Sequence, residues 1–190
     1  MDGTDHLDRI TLPVTTQRLS LRLFTADDLD DMHAYQGLES VARYLYRPPR
    51  TRDRCAEVIE KISAPTGWSK DGDELVLAVT RADAPGVIGE VVVKLAGAHA
   101  QQVEIGWALH PEHEGRGYAT EAARAVASLA FDTLGAHRIF ARLDVENTGS
   151  AKLCERLGMR REAHLVENDL DGERWGSEYV YAALVHDLER

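Results

Sequence analysis

Residues 103–121, VEIGWALHPEHEGRGYATE, decide the fold of this 190-residue chain. The first half of the stretch has the period-2 pattern of a β-strand, in which apolar residues alternate with Glu104, Gly106 and Ala108. Pro111 ends this strand, and apolar residues at helical spacing begin after the glycine-rich segment 114–119. The stretch therefore predicts a strand, a glycine-rich turn and a helix in succession.

Two glycines, Gly115 and Gly117, flank Arg116 just before the predicted helix. Glycine lets the backbone approach a bound group, and the first N–H groups and the dipole of a helix attract anions. A tight turn would also explain the two glycines, but the strand before them and the helix after them favour an anion-binding loop. The segment is not a dinucleotide fingerprint, because Thr120 replaces the third small residue, and no Gly-Lys-Ser/Thr of a P-loop occurs.

Two motifs resemble the GNAT superfamily of N-acyltransferases. Residues 114–119, EGRGYA, are similar to its (Gln/Arg)-x-x-Gly-x-(Gly/Ala) acetyl-CoA loop. Residues 117–122, GYATEA, resemble more narrowly its ribosomal-protein (alanine/serine) N-terminal acetyltransferase branch. Residues 147–150 and 153–159 resemble the superfamily's Asn-x-x-Ser…Glu-(Lys/Arg)-x-Gly-Phe segment. The resemblance covers roughly residues 16–186, and two motifs in the same order about 30 residues apart argue against chance agreement.

Composition narrows the class of protein. The chain is 44% hydrophobic with a net charge of −10, which suits one domain with a sizeable core and disfavours general nucleic-acid binding. The acidity would suit a cationic substrate, but solubility alone is enough to explain it and is the explanation that we prefer. Cys55 and Cys154 lie far apart without metal-ligand spacing, which fits a reduced protein without a disulfide. With neither a membrane-length apolar run nor a signal peptide, we expect a cytoplasmic protein.

Periodicity and helix breakers predict one α/β sheet. We expect a flexible arm over residues 1–14 and a single domain over 15–190. The predicted strands are 18–24, 74–81, 87–95, 102–109, 138–145, 159–169 and 174–184. The predicted helices are 28–36, 38–46, 51–63, 117–134 and 148–157. Residues 74–109 form an antiparallel meander, and Asp171-Gly172 marks a hairpin.

The resemblance implies the GNAT fold, a mixed and mostly antiparallel seven-stranded sheet flanked by helices on both faces. In that fold the fourth and fifth strands, here 102–109 and 138–145, splay apart and the pantetheine arm of the cofactor lies in the gap. The helical insert between the first two strands forms one wall of the acceptor site.

The resemblance also implies a set of cofactor-binding residues. Backbone groups of one strand and of the glycine loop would hold acetyl-CoA: Trp107, Ala108, Leu109, Glu114, Gly115, Arg116, Gly117, Tyr118 and Ala119. Asn147 would contact the pantetheine arm, and Ser150 would lie near the sulfur. Helix capping alone would also explain Asn147 and Ser150.

Three positions depart from the superfamily pattern, and the first is Glu114, which stands where the acetyl-CoA loop usually has Gln or Arg. Many members place a tyrosine acid where this chain has Cys154, and some carry a glutamate base where it has Arg142. Because a buried cysteine is usually a small core residue, Ser150 is our candidate for protonating or stabilising the departing thiolate. An arginine cannot act as a base, so the proton acceptor must lie elsewhere.

An acceptor amine must be neutral to attack a thioester, so a carboxylate in the cleft is a reasonable base. Glu167 is our first candidate, because alternate residues of strand 159–169 share a face and relatives often carry an acid in this region. Asp169 and Glu104 are alternatives, and each could equally be a solvated strand residue. His110 and His113 flank Pro111, but without helical spacing or a third ligand they favour a surface turn over a metal site.

The sequence thus predicts an acetyl-CoA-dependent N-acetyltransferase that acts on a primary amine by direct attack in a ternary complex. The acceptor is either a protein N-terminus or a small amine. The alternative is a non-catalytic acyl-CoA-binding or sensing protein. We expect acetyl-CoA and the amine as partners, with no metal, nucleic acid or membrane, and we leave a homodimer open.

Overall fold

A computed structural model describes residues 6–65, 67–172 and 174–188. It contains a sheet with the strands β1 Val14–Thr15, β2 Leu19–Arg22, β3 Glu74–Arg81, β4 Ala84–Gly97, β5 Gln102–Leu109, β6 Arg138–Asp144, β7 Arg160–Asp171 and β8 Arg174–Leu184. Their order across the sheet is β1-β2-β3-β4-β5-β6-β8-β7. Only the pairing of β5 with β6 is parallel among these described strands.

Helices cover both faces of the sheet: α1 Leu29–Gln36, α2 Glu39–Ala42, α3 Arg52–Ile62, α4 Tyr118–Asp132 and α5 Thr148–Arg156. Successive residues of a strand point to opposite faces, so Val76 and Ala78 pack under α1 and α3 while Leu75 and Leu77 belong to the core under α4 and α5. Among the described helices, none is long and apolar enough to cross a bilayer.

The sheet opens between β5 and β6. Residues 102–104 pair with residues 138–140, and the pairing stops there although β5 continues to Leu109 and β6 to Asp144. The expected splay between strands 102–109 and 138–145 is therefore confirmed. The chain leaves β5 into the glycine loop and leaves β6 into α5, so both motif regions meet at the gap.

The sheet has eight strands where we expected seven, because Val14–Thr15 adds a short edge strand. The described part of the predicted arm is also packed against the main core through Leu7, Ile10, Leu12 and Val14. These apolar residues are separated by Asp, Arg and Thr, so the average composition of the segment is polar and does not indicate packing against the core. Residues 1–5 lie outside the described residues.

Local signals placed most helix boundaries correctly. The helix predicted over 51–63 corresponds to α3 and is capped by Thr51, whose Oγ1 accepts a hydrogen bond of 3.2 Å from the backbone N–H of Arg54. The helix predicted over 38–46 is shorter, because α2 ends at Ala42 and turns follow before Pro48. The turn expected at residues 83–86 comes earlier, since Arg81 already pairs with Ala84.

Candidate active site

A cavity of about 980 Å³ lies at the gap between β5 and β6. All of the predicted cofactor-binding residues except Arg116 line it: Trp107, Ala108, Leu109, Glu114, Gly115, Gly117, Tyr118, Ala119, Asn147 and Ser150. Residues from the strand, the loop and the second motif, which are distant in the chain, thus share one cavity. The cavity also reaches α2 and the turn after it, through Ser40, Val41, Tyr44 and Leu45.

The loop between β5 and α4 depends on glycine for its conformation. Gly115 and Gly117 have φ angles of +72° and +80°, in the left-handed region that L side chains rarely adopt. A Cβ on Gly115 would meet nothing within 4 Å, so conformation and not crowding requires glycine there. Gly117 is the N-cap of α4, and its carbonyl accepts from Glu121 N at 3.0 Å. The first N–H groups of α4 are therefore directed at the cavity end of the loop, where an anion would bind.

Arg18, just before β2, fastens this loop. Its Nη1 donates to the carbonyl oxygen of Arg116 at 3.0 Å, and its Nε donates to Glu121 Oε2 at 2.7 Å. The guanidinium also lies 4.7 Å from the ring centroid of Tyr118. Arg116 itself lies outside the cavity lining and takes part in the loop through this carbonyl. Sequence reasoning missed Arg18, because nothing in its own neighbourhood indicates a partner about a hundred residues away.

Glu121 places a carboxylate in the first turn of α4, beside the anion site. Burial raises its pKa, but hydrogen bonds from Thr16 Oγ1 (2.6 Å) and from the backbone N–H and side chain of Arg18 outweigh burial and lower it. The group is therefore an ionised partner of Arg18. Its charge is neutralised locally, which leaves the helix terminus attractive to a ligand phosphate.

Three cations also line the cavity, as binding of a polyanion would require: Arg124 on α4 and Lys152 and Arg156 on α5. Arg124 Nη2 is positioned by a 3.1 Å hydrogen bond to the carbonyl of Arg156. The cavity volume, the glycine loop and these cations fit a ligand as large and as phosphorylated as acetyl-CoA. Sequence reasoning missed the three, although the four-residue spacing of Lys152 and Arg156 places both on one helical face.

Ser150 is held at two points. Its backbone N–H donates to Asn147 Oδ1 at 3.0 Å. Asn147 therefore caps α5, which was the alternative explanation for this residue in the sequence. The hydroxyl oxygen of Ser150 accepts a hydrogen bond of 3.1 Å from the indole Nε1 of Trp107 on β5. The capping residue, the serine and the tryptophan all line the cavity, so the cap belongs to the site.

The departures from the superfamily pattern at Cys154 and Arg142 are structural in this chain. Cys154 is fully buried in the main core, and burial raises the pKa of its thiol to about 12. Arg142 forms an ion pair with Glu178 of β8. Neither side chain lines the cavity, so neither replaces the missing acid or base.

The sheet face under α1 and α3 carries several carboxylates. Glu90 on β4 accepts hydrogen bonds from Tyr35 Oη (2.7 Å) and Gln36 Nε2 (2.8 Å). Burial, with a further contribution from Glu90, raises the pKa of Tyr35 well above its usual value, so this hydroxyl remains a donor. Asp144 on β6 and Glu178 on β8 are opposite each other in the strand register, and they are only 5% and 6% exposed.

Tyr46 connects the α2 segment to the end of β6. Its hydroxyl donates to Asp144 Oδ2 at 2.6 Å and lies 3.1 Å from the carbonyl oxygen of Ser177. Its backbone is left-handed with φ +46°, and its ring packs where a side chain on Gly176 would stand. The turn that carries Tyr44 and Leu45 into the cavity is thereby fixed to the sheet. This segment lies within the predicted acceptor wall between the first two long strands.

The expected alternation along the seventh strand is interrupted by a bulge. Leu165 pairs with Glu178 and Asp169 with Gly176, so four steps along β7 match two along β8. Glu167 lies in this bulge with φ +49°, is exposed, and donates its backbone N–H to Ser177 Oγ at 2.9 Å. The strand is therefore not regular between Glu167 and Asp169, and the expected alternation does not by itself place the two side chains on one face. Neither residue lines the cavity.

No group of three His, Cys, Asp or Glu side chains suited to a metal ion occurs within the described residues. His110 Nδ1 accepts a hydrogen bond from Glu112 N at 3.2 Å, as part of the turn after β5. His113 lines the cavity, and burial lowers its pKa. The two cysteines are free and buried in the two separate hydrophobic clusters.

Comparisons with known proteins agree with this geometry. The family described as "Acetyltransferase (GNAT) domain" matches residues 18–160. The uncharacterized N-acetyltransferase YnaD of Bacillus subtilis (strain 168) is 31% identical over 172 residues, which cover 90% of this chain and 96% of YnaD.

Two crystal structures show the same fold. A GNAT-family acetyltransferase from Bacillus anthracis has a TM-score of 0.80 and 29% identity, with 90% of this chain and 96% of the other covered. A Vibrio cholerae spermidine N-acetyltransferase, in complex with CoA and spermine, has a TM-score of 0.77 and 24% identity, with 90% and 98% covered. With a family match across the splayed strands, the glycine loop and the start of β7, this chain belongs to the GNAT family and is an N-acetyltransferase.

Proposed function

We propose that this chain transfers the acetyl group of acetyl-CoA to a primary amine by direct attack in a ternary complex. The observation that carries the proposal is the single cavity shared by the open edge of β5, the glycine loop and Ser150. A donor held along the loop would have its thioester at the gap. An amine approaching from the α2 side would meet that thioester directly, so no enzyme-bound acyl group is required.

The open edge of β5 supplies the polar groups for the thioester. Because β6 diverges after the 104–140 pair, backbone groups of Trp107, Ala108 and Leu109 have no β6 partner on that side. Such N–H groups are fixed in place and polarise a carbonyl oxygen as it becomes negative. Arg124, Lys152 and Arg156, together with the loop, would hold the phosphates. Ser150 would lie near the sulfur.

We propose Glu167 as the proton acceptor, with Asp169 as the alternative. The support is chemical, because a carboxylate in water accepts a proton from an ammonium through one water, and Arg142 offers no base. The exposed bulge makes Glu167 accessible to solvent and to an entering amine. Because Glu167 does not line the cavity, the proton would reach it through water and not by direct contact.

We propose a cationic small amine as the acceptor, with a protein N-terminus as the second candidate. The support is that four carboxylates lie on the sheet face beside the α2 segment, outside the cavity lining: Glu90, Glu104, Asp144 and Glu178. Within the described residues, only Glu178 of these four forms an ion pair, with Arg142. A net negative charge near the acceptor entrance attracts ammonium groups. The Vibrio cholerae neighbour, solved with CoA and spermine, supports this class. The GYATEA motif of residues 117–122 supports the protein N-terminus instead. We place the reaction in the cytoplasm, which suits two free thiols.

The test is release of CoA thiol from acetyl-CoA with a panel of acceptors. The panel contains spermidine, a monoamine with no other charged group, and peptides with an N-terminal Ala or Ser. We expect turnover with spermidine, and turnover confined to the peptides would select the second candidate. If CoA raises the melting temperature but no amine in the panel is acetylated, the acceptor proposal is wrong. If CoA neither binds nor stabilises the protein, the donor site is wrong as well.

A further inference from the structure

We propose that Trp107 is a positioning residue whose indole N–H orients the Ser150 hydroxyl toward the sulfur of the departing CoA thiolate. The inference rests on the proposed function, since it needs CoA in the cavity. It assigns a role to the Trp107 side chain, for which the family resemblance implies only backbone contacts.

Hydrogen-bond chemistry gives the direction. An indole N–H only donates, so in the 3.1 Å contact the Ser150 oxygen must be the acceptor. With one lone pair engaged, the hydroxyl hydrogen points away from Trp107. Within the described residues no side chain or carbonyl accepts that hydrogen, and both residues line the cavity. The free donor of Ser150 is therefore available to a ligand atom in the gap.

The position of Ser150 is fixed by two elements that border the gap. Asn147 holds its backbone N–H from the start of α5, and Trp107 holds its oxygen from β5. Trp107 is half-buried and packs against the core under α4 and α5, so its ring is a rigid support. A hydroxyl held in this way loses little rotational freedom when it donates to a ligand.

The reaction step needs such a donor. The amine lone pair forms the new C–N bond, the C–S bond breaks, and its electron pair stays on sulfur as a thiolate. The surplus proton on nitrogen passes to the proton acceptor or to water. A hydrogen bond from Ser150 stabilises the thiolate as charge develops, and the indole dipole behind the hydroxyl polarises it further. Removing Trp107 would leave Ser150 present but free to rotate.

The binding experiment compares CoA with S-methyl-CoA, which cannot ionise, by calorimetry from pH 6 to 9.5. A donor to the thiolate lowers the pKa of the bound thiol below the pKa of the thiol of free CoA, so CoA gains affinity over S-methyl-CoA as pH rises. We expect a gain of about tenfold for the wild type, near none for Ser150→Ala, and about threefold for Trp107→Phe. Titrating groups of the protein affect the binding of CoA and of S-methyl-CoA alike, so their effects cancel in the ratio of the two affinities. A variant that only loses packing would therefore leave this ratio unchanged.

Three variants serve as controls. Ser150→Thr keeps a hydroxyl and should restore most of the gain. Trp175→Phe changes an exposed tryptophan outside the cavity and should behave as wild type. Trp107→Phe in the Ser150→Ala background should have no further effect on the ratio, because the indole acts through the serine. Melting temperatures identify any variant that fails to fold. If one does, the comparison of Ser150→Ala with Ser150→Thr still tests whether the hydroxyl produces the gain in affinity.

The outcomes separate this inference from the proposed function. If the wild type binds CoA and its affinity ratio does not change with pH, the inference is overturned while the proposed donor site stands. A ratio that changes equally in wild type and Trp107→Phe would also overturn it. If the wild type binds neither ligand, the proposed function fails and the inference fails with it.

Discussion

Arg18 donates a 3.0 Å hydrogen bond to the carbonyl oxygen of Arg116, and so joins the start of β2 to the loop before α4. Because the same guanidinium pairs with Glu121, we predict that Arg18→Ala loosens the loop and exposes an unneutralised carboxylate beside the phosphates. CoA affinity should fall about three- to tenfold, since the pair is partly solvated. Calorimetry measures the change. Arg52→Ala, which removes an exposed ion pair on α3, is the matched control, and equal affinities for both variants would contradict the prediction.

Gly117→Val should abolish the stabilisation that CoA gives to the fold. The φ of +80° at Gly117 is strained for a β-branched residue, and the added side chain would stand at the anion end of α4. Gly172→Val is the control, because Gly172 has a φ of +60° in the β7–β8 turn, away from the cavity. Both variants should melt at lower temperature without ligand. A CoA-induced shift that survives in Gly117→Val would show that the loop does not bind the cofactor.

Asn147 has two expected roles that substitution can separate. Asn147→Ala removes the cap of α5 and should cost about 1 kcal/mol of unfolding free energy along with CoA affinity. Asn147→Asp keeps a capping oxygen, so we expect near-normal stability but weaker CoA binding, since it adds a charge and loses the amide donor. Thr51→Ala removes a comparable cap on α3 and controls for capping alone. If Asn147→Asp binds CoA normally, Asn147 is only a cap.

The proposed proton acceptor is tested by the pH dependence of kcat/KM. If Glu167 accepts the amine proton, Glu167→Gln should lower kcat/KM and flatten the acidic limb of the profile. Asp169→Asn is the paired variant, two residues along the same bulged strand. A loss confined to Asp169→Asn would move the role to that residue. Unchanged profiles for both would mean that water alone removes the proton.

Asp28 should make folding stability depend on acidic pH. Burial raises its pKa, but hydrogen bonds from Arg22 and from Thr25 outweigh this effect, so the folded pKa lies below 3.8. Because the folded pKa is lower than the unfolded pKa, the carboxylate stabilises the fold fully above the unfolded pKa. This contribution is lost as the pH falls through the folded pKa. Asp28→Asn should therefore cost about 2 kcal/mol at pH 7 and progressively less below pH 4. Denaturant titrations across pH measure this difference.

The control for Asp28 is Asp30→Asn, which alters an exposed carboxylate paired with Arg52. An exposed pair contributes little, so the change should stay within about 0.5 kcal/mol at every pH. If the cost of Asp28→Asn is the same at pH 3 as at pH 7, its charge is not what stabilises the fold.

Local patterns predicted the parts of the site that depend on local chemistry. Gly117 was found because glycines between a strand and a helix let the backbone approach a bound anion, and the structure adds that its φ is +80°. The contact of Arg18 with the loop escaped prediction, because it joins residues that only the complete sheet brings together. The bulge at Glu167 escaped as well, since residues 159–169 contain no Gly or Pro that would mark an interruption of the strand.

The hydrogen bond from Tyr46 to Asp144 has a consequence for how the two substrates influence each other. Tyr46 belongs to the turn that we propose as the acceptor wall, and Asp144 stands three residues before Asn147, which lines the cavity proposed for acetyl-CoA. An amine that moves the turn would also move the end of β6 through this hydrogen bond. In the same way, acetyl-CoA that orders the start of α5 would restrict the movement of the turn. By thermodynamic linkage, each substrate then changes the affinity for the other by the same factor.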